Sequence, residues 1–82
     1  MAQVVTVTVR YWAGARAAAG VDAEQHSGTS VGDVLESAVA AHPDLGRVAA
    51  VATFLLDGRK AERDTPLIEG VTVEVLPPFA GG

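Results

Sequence analysis

The chain has 82 residues, of which 49% are hydrophobic and 20% are charged. This composition is typical of a globular protein, and the length suits one domain with a modest core and no room for a cofactor-sized cavity. The formal net charge of −4 argues against nucleic-acid binding, because contact with a phosphate backbone needs a basic face.

Residue types that are missing or rare exclude several kinds of chemistry. The chain has no cysteine, which excludes disulfides, thiolate metal sites, cysteine nucleophiles and CxxC redox chemistry. His26 and His42 are the only histidines, and neither has a second ligand nearby in sequence, so we expect no metal site and a surface position for His26. The N-terminus lacks a signal pattern and no apolar run reaches membrane length, so we expect a cytoplasmic protein without a membrane partner.

The first half of the chain predicts two strands and a helix. Residues 3–11 are rich in β-branched side chains and alternate with a period of two, which predicts a strand with one face formed by Val5, Val7, Val9 and Tyr11. We expect Trp12 to be a buried aromatic, with a partner contact as the less favoured alternative. Residues 13–20 should form a loop with one helical turn, because this alanine-rich stretch is too short for a stable isolated helix. Residues 21–26 predict a short edge strand that returns antiparallel to the first.

The main helix is predicted over residues 30–42. Ser30 is a candidate N-cap, and Asp33 three residues later resembles a capping box. Pro43 disfavours helical geometry at the preceding residue, so the helix should end at Ala41 or His42, where the imidazole would complement the helix dipole. One apolar stripe is expected to pack on the sheet: Val31, Val34, Leu35, Ala38, Val39 and His42.

The second half predicts a hairpin and a last strand. Residues 44–52 contain a turn followed by small apolar residues of open secondary structure, and residues 53–56 predict a strand. Asp57 and Gly58 then suit a type I′ turn, and the charged residues 59–63 would return as an edge strand whose basic cluster is a second candidate for a partner contact. After turns in residues 64–70, the alternating residues 71–76 predict the final strand.

The last six residues, 77–82, differ from everything before them. Pro77 and Pro78 should end the strand at Leu76, after which the tail would leave as an extended, flexible arm with a reach of roughly 20 Å. Without Cβ atoms, Gly81 and Gly82 would let the backbone enter a narrow channel of another protein. The terminal carboxylate would be an anion at neutral pH, able to attack an activated phosphate.

The alternative is a frayed terminus that happens to end in two glycines. Background glycine usage makes such an ending a chance event in roughly 0.5% of chains, which favours a functional tail.

The order of predicted elements matches an α+β fold, the ubiquitin-like β-grasp roll. This fold has a mixed sheet of four to five strands with one main helix on one face, and its first and last strands pair in parallel at the centre. Residues 1–82 would form a single domain, with residues 77–82 as the functional tail. The chain resembles the sulfur-carrier family that includes the molybdopterin synthase small subunit and the thiamine-pathway carrier. The resemblance rests on VTVRYWAGARAAAG, TSVGDVLESAVAAHPDL, FLLDGRKAERDTPLIEG and, most specifically, VTVEVLPPFAGG.

The resemblance implies a function for the tail. An E1-like adenylyltransferase would adenylate Gly82 with ATP, and sulfur from a sulfurtransferase or other donor would then replace AMP to give a thiocarboxylate. Pro77, Pro78, Phe79, Ala80 and Gly81 would bind the partner, by insertion into the large catalytic subunit of molybdopterin synthase in a heterotetramer. The sulfur would reach a cyclic pyranopterin phosphate precursor and build the dithiolene, and the carrier would be neither an enzyme nor bound to a cofactor.

Other functions remain open at this point. The same tail chemistry would serve a carrier for thiamine thiazole, cysteine or another thio-metabolite. A ubiquitin-like modifier would instead attach Gly82 to lysines, and this chain has only Lys60 as an internal attachment point. A free-standing enzyme is the weakest class, because we expect no set of nucleophile, base and orienting group from two histidines and no cysteine.

Overall fold

The computed structural model describes residues 3–78. Five strands form one mixed sheet, with the spatial order β2-β1-β5-β3-β4. The strands are β1 (Val5–Tyr11), β2 (Ala23–Gly28), β3 (Thr53–Leu56), β4 (Arg59–Ala61) and β5 (Thr72–Leu76), and the helices are α1 (Ala13–Ala19), α2 (Val31–Ala41) and α3 (Leu45–Ala49). This is the α+β β-grasp arrangement that the sequence predicts. None of these helices is long and apolar enough to cross a lipid bilayer.

The centre of the sheet is the pair formed by the first and last strands. β1 and β5 run parallel, with Thr8 opposite Thr72 and Tyr11 opposite Val75, as the sequence predicts for this fold. β3 pairs antiparallel with the other edge of β5 over its whole length. β5 therefore has a hydrogen-bonded neighbour on both sides, and Val73 and Val75 are completely buried.

The core lies between the sheet and α2. Ser30 caps this helix, since its hydroxyl accepts a hydrogen bond from the Asp33 N–H at 3.3 Å. The predicted stripe is confirmed, because Val31, Val34, Leu35 and Ala38 are buried and pack with the inward face of β1, on which Val5, Val7, Val9 and Tyr11 are also buried. The helix ends at Ala41, within the predicted limits.

The prediction of a loop over residues 13–20 is wrong. α1 spans seven of these residues, and Gly20 ends it in the left-handed conformation with φ 80°, donating its N–H to the Arg16 carbonyl at 2.8 Å. The helix is stable here because Ala15 and Ala19 are buried in the core, a contribution that an isolated peptide lacks. α3 likewise forms where the sequence left the structure open, and its Leu45 is fully buried.

The strand and turn predictions are confirmed with small shifts. β2 pairs antiparallel with β1 at the sheet edge, two residues later in the chain than predicted. Asp57 and Gly58 have φ values of 48° and 86°, as a type I′ turn requires. β4 is the other edge strand, and it contains only three of the five predicted residues.

A polar cluster joins the edge strand β2 to α2 and β1. The Glu24 carboxylate accepts hydrogen bonds from Tyr11 Oη at 2.7 Å, His26 Nε2 at 2.7 Å and His42 Nε2 at 2.8 Å. The expectation of a surface position for His26 is wrong, since its side chain is only 10% exposed. The ring of His42, expected to complement the helix dipole, binds Glu24 instead. No group of His, Cys, Asp or Glu side chains within residues 3–78 is arranged to hold a metal ion.

The hydrogen bonds control the ionisation of this cluster. Burial alone would raise the pKa of Glu24, but the hydrogen bonds from His26, His42 and Tyr11 outweigh burial and lower that pKa to about 2. Burial, followed by the hydrogen bond to Glu24, raises the pKa of the Tyr11 hydroxyl well above its ordinary value. Glu24 is therefore a carboxylate, and Tyr11 a neutral donor, over the whole physiological range.

Truncating Leu35 should test the core. Leu35→Ala leaves a cavity between α2 and the sheet and should lower the free energy of unfolding by about 2 to 5 kcal/mol. Ile68→Ala is the matched control, because Ile68 is 71% exposed and its truncation opens no cavity. Chemical denaturation measures both, and equal effects of the two substitutions would contradict the packing of α2.

Acid should unfold the protein partly through Glu24. A carboxyl group whose pKa falls on folding stabilises the folded state above its ordinary pKa, here 4.5, and this contribution is lost as the pH falls towards 2. Glu24→Gln removes the titrating group, so its free energy of unfolding should fall less steeply with acidification across this window. Denaturation curves at a series of pH values give both slopes, and parallel pH dependence in the two proteins would contradict this prediction.

Candidate functional site

The candidate site begins where β5 ends. Leu76 is the last paired residue and lies opposite Thr53, while the Trp12 N–H donates to the Val75 carbonyl at 3.2 Å. The strand ends at Leu76 as predicted, because proline has no N–H for the ladder. Pro77 is half-buried and Pro78 is exposed. The predicted site residues Phe79, Ala80, Gly81 and Gly82 lie outside the described residues.

A tryptophan stands on the surface beside this strand end, although the sequence predicted a buried aromatic. Trp12 is 41% exposed, and its Nε1–H donates to Glu74 Oε1 at 2.9 Å. The Arg10 guanidinium lies 5.4 Å from the ring centroid, within range of a cation–π interaction. We call Arg10, Trp12 and Glu74 the open-face cluster.

The strand register explains the position of the open-face cluster. Arg10 pairs with Glu74, so both side chains lie on the face of the sheet opposite the buried Val9 and Tyr11. Trp12 comes two residues after Arg10 and therefore lies on the same face of the sheet. The sequence contained this signal, since the alternation that buries the odd-numbered residues of β1 assigns even-numbered residues to the other face.

The open-face cluster has the properties of a binding anchor. The hydrogen bond and the guanidinium restrict the indole in the free protein, so a partner that covers it loses little additional side-chain entropy. Exposed tryptophan and arginine side chains are also the types enriched among residues that dominate binding energy. The cluster lies at the end of the sheet from which the tail departs, so one partner can contact both.

The basic segment predicted as a second contact borders an open groove. This groove has a volume of about 380 Å³ and is lined by residues 52–54 and 60–63. The Arg63 guanidinium lies 5.3 Å from the Phe54 ring centroid and donates to the Ala49 carbonyl at 3.4 Å, so it is partly engaged within the fold. Thr53 both lines the groove and pairs with Leu76, which places the groove at the same end of the sheet as the tail.

Comparison of the fold identifies close structural relatives. Small archaeal modifier protein 1 from Methanosarcina acetivorans has a TM-score of 0.89 and 26% identity, with 98% of this chain and 99% of that chain covered. A Pyrococcus furiosus protein assigned as subunit 1 of molybdopterin converting factor has a TM-score of 0.81 and 30% identity, covering 92% and 99%. A complex of subunits 1 and 2 of the molybdopterin-converting factor from Helicobacter pylori matches with a TM-score of 0.71, covering 95% and 100%, and at 20% identity this likeness concerns the fold alone.

Sequence comparison gives the family. No curated protein matches the sequence. The model of the ThiS family, in contrast, matches residues 9–82, which include the last three residues of β1, every element from α1 to β5 and the Gly-Gly end of the chain. A match over this much of the chain, together with a shared fold, establishes the relationship: the protein is a member of the ThiS family, with the ubiquitin-like β-grasp fold.

Proposed function

We propose that this protein is a sulfur carrier whose reacting group is the carboxylate of Gly82. The observation that carries the proposal is the ThiS family match, which extends through Gly81 and Gly82. In this reaction a carboxylate oxygen attacks the α-phosphate of ATP on an E1-like adenylyltransferase, and pyrophosphate leaves. Sulfur from a sulfurtransferase or another donor then displaces AMP to give the thiocarboxylate.

The described part of the chain suits this role. β5 is hydrogen-bonded on both sides up to Leu76, so the origin of the tail is fixed relative to the domain. Pro77 and Pro78 restrict the backbone immediately afterwards, which favours an extended and semi-rigid exit. A fixed origin and a restricted backbone at Pro77 and Pro78 suit a terminal group that must be presented to a partner.

We propose molybdopterin synthesis as the pathway. The Pyrococcus furiosus relative, at 30% identity, is assigned as subunit 1 of molybdopterin converting factor. The same fold occurs in a Helicobacter pylori complex of subunits 1 and 2 of that factor. The corresponding partner here would be the large catalytic subunit, which would receive the tail in a heterotetramer and pass the sulfur to the pyranopterin precursor. ATP belongs to the activating partner, and the carrier itself binds no cofactor and performs no catalysis.

Removing Gly82 should abolish sulfur loading. The full chain, incubated with an activating enzyme, ATP and a sulfur source, should exchange one oxygen for sulfur, and intact mass spectrometry detects the exchange. The chain without Gly82 should keep its original mass, since the carboxylate would sit one residue short of the activated phosphate. Gly46→Ala is the matched control, because a Cβ there meets only Val39 Cγ1 at 3.4 Å and the tail is unchanged. Normal loading of the shortened chain would contradict the carrier function.

The open-face cluster should contribute to partner binding. Trp12→Ala should weaken binding to the large subunit or the activating enzyme about 30-fold, since a buried tryptophan anchor is worth about 2 kcal/mol. Unfolding free energy should change little, because the side chain is 41% exposed. Ile68→Ala is the matched control: Ile68 is a large exposed residue in the loop that contacts the start of β1, at the other end of the sheet. If calorimetric titration gave equal affinities for the wild type and Trp12→Ala, this surface would not be part of the interface.

A second candidate function is protein modification. It is favoured by the Methanosarcina acetivorans relative, which is a small archaeal modifier protein. A modifier would be recovered with Gly82 joined to lysines of other proteins, whereas a carrier would be recovered with sulfur on its own terminus. Lys60 is exposed on the edge strand β4 and would accept any conjugate between two copies of the chain. Mass spectrometry of the protein isolated from its host separates these products.

A further inference from the structure

A serine, a histidine and a carboxylate form a hydrogen-bonded chain that the tail chemistry does not use. Ser37 Oγ lies 2.9 Å from His26 Nδ1, and His26 Nε2 lies 2.7 Å from Glu24 Oε2. Glu24 and His26 stand two residues apart on β2 and share one face of the strand, and Ser37 reaches them from α2. The sequence predicted no nucleophile, base and orienting group, and the packing of α2 beside β2 assembles one.

The hydrogen-bond roles within this chain follow from chemistry. An ionised carboxylate only accepts, so the hydrogen between Glu24 and His26 must belong to His26 Nε2. In the neutral imidazole Nδ1 then carries the lone pair, and it must accept the hydroxyl hydrogen of Ser37. His26 is thus set as a base towards Ser37, in the arrangement that activates serine nucleophiles.

Two neighbouring side chains, Tyr11 and His42, also hydrogen-bond to Glu24. Tyr11 comes from β1 and His42 from the end of α2, and both donate to the carboxylate that also binds His26. His26 is 10% exposed, so the base is shielded from bulk water, while Ser37 is half-buried and remains reachable from solvent.

We propose that Ser37 is a nucleophile that takes up activated acyl or phosphoryl groups. Ser37 Oγ forms a bond to the carbonyl carbon or phosphorus, the leaving group departs with its electron pair, and the hydroxyl proton passes to His26 Nδ1. Glu24 then stabilises the imidazolium. Ser37 lies inside α2, where backbone N–H groups bind carbonyls four residues earlier and cannot stabilise an oxyanion. The site therefore supports a single covalent modification and not turnover.

A fluorophosphonate tests this proposal on the full chain. The reagent should lose fluoride and label Ser37, located by tandem mass spectrometry. Ser27 and Ser30 are internal controls, since Ser27 bonds to the Thr6 hydroxyl and Ser30 caps α2. His26→Ala should label Ser37 at least about 100-fold more slowly, the usual contribution of a general base. Ser37→Ala should show no adduct at residue 37 and only the background at the other two serines.

Two further variants distinguish activation from packing. Glu24→Gln should slow labelling and change its pH profile, because the amide no longer sets the tautomer and charge of His26. Glu36→Gln changes an exposed carboxylate on α2 that lies outside this hydrogen-bonded chain, so it should label at nearly the wild-type rate. Equal labelling of Ser27 and Ser37 in the wild type would overturn the proposal without reference to any variant. Unchanged labelling in a folded His26→Ala protein, verified by circular dichroism, would overturn it as well.

Discussion

The double pairing of β5 is the constraint on which the rest of the structure depends. Its backbone bonds to β1 on one edge and to β3 on the other, and its inward side chains, Val73 and Val75, are fully buried beneath α2. A strand in the middle of a sheet cannot fray or slip without breaking two ladders and exposing its apolar face. The end of β5 is therefore among the most firmly held points of the fold, and the tail starts from it.

This arrangement separates two requirements that conflict in a small protein. The proposed function needs a terminal carboxylate that partners can reach, whereas the stability of a domain of 82 residues needs an apolar core. In the described part of the chain the last core residue is Val75, and Pro77 and Pro78 follow directly after the last paired residue, Leu76. The relatives named as a small archaeal modifier protein and as subunit 1 of molybdopterin converting factor share this fold.

Two polar groupings lie on opposite faces of the sheet, and they differ in what surrounds them. On the open face, Arg10, Trp12 and Glu74 contact one another and also solvent, so a partner can cover them. On the helix side, Glu24 accepts hydrogen bonds from side chains on β1, on β2 and at the end of α2, and it is largely buried. Enclosure makes the second grouping part of the stability of the domain, and it holds His26 between Glu24 and Ser37.

The sequence by itself determined the strand order in the chain, the main helix and the end of the last strand, because these depend on local properties. Alternation of β-branched residues specifies β1 and β5, the apolar stripe and Ser30 specify α2, and Asp57-Gly58 and Pro77-Pro78 act through their own backbone preferences. The ThiS resemblance was likewise readable from the Gly-Gly end of the chain, and the family match includes that end. Only the tertiary structure decided α1, α3 and the binding of both His26 and His42 to Glu24. Each of these depends on burial or contact between residues distant in sequence: Ala15 and Ala19 are helical because the core covers them, and the two histidines meet because β2 and the end of α2 pack together around Glu24.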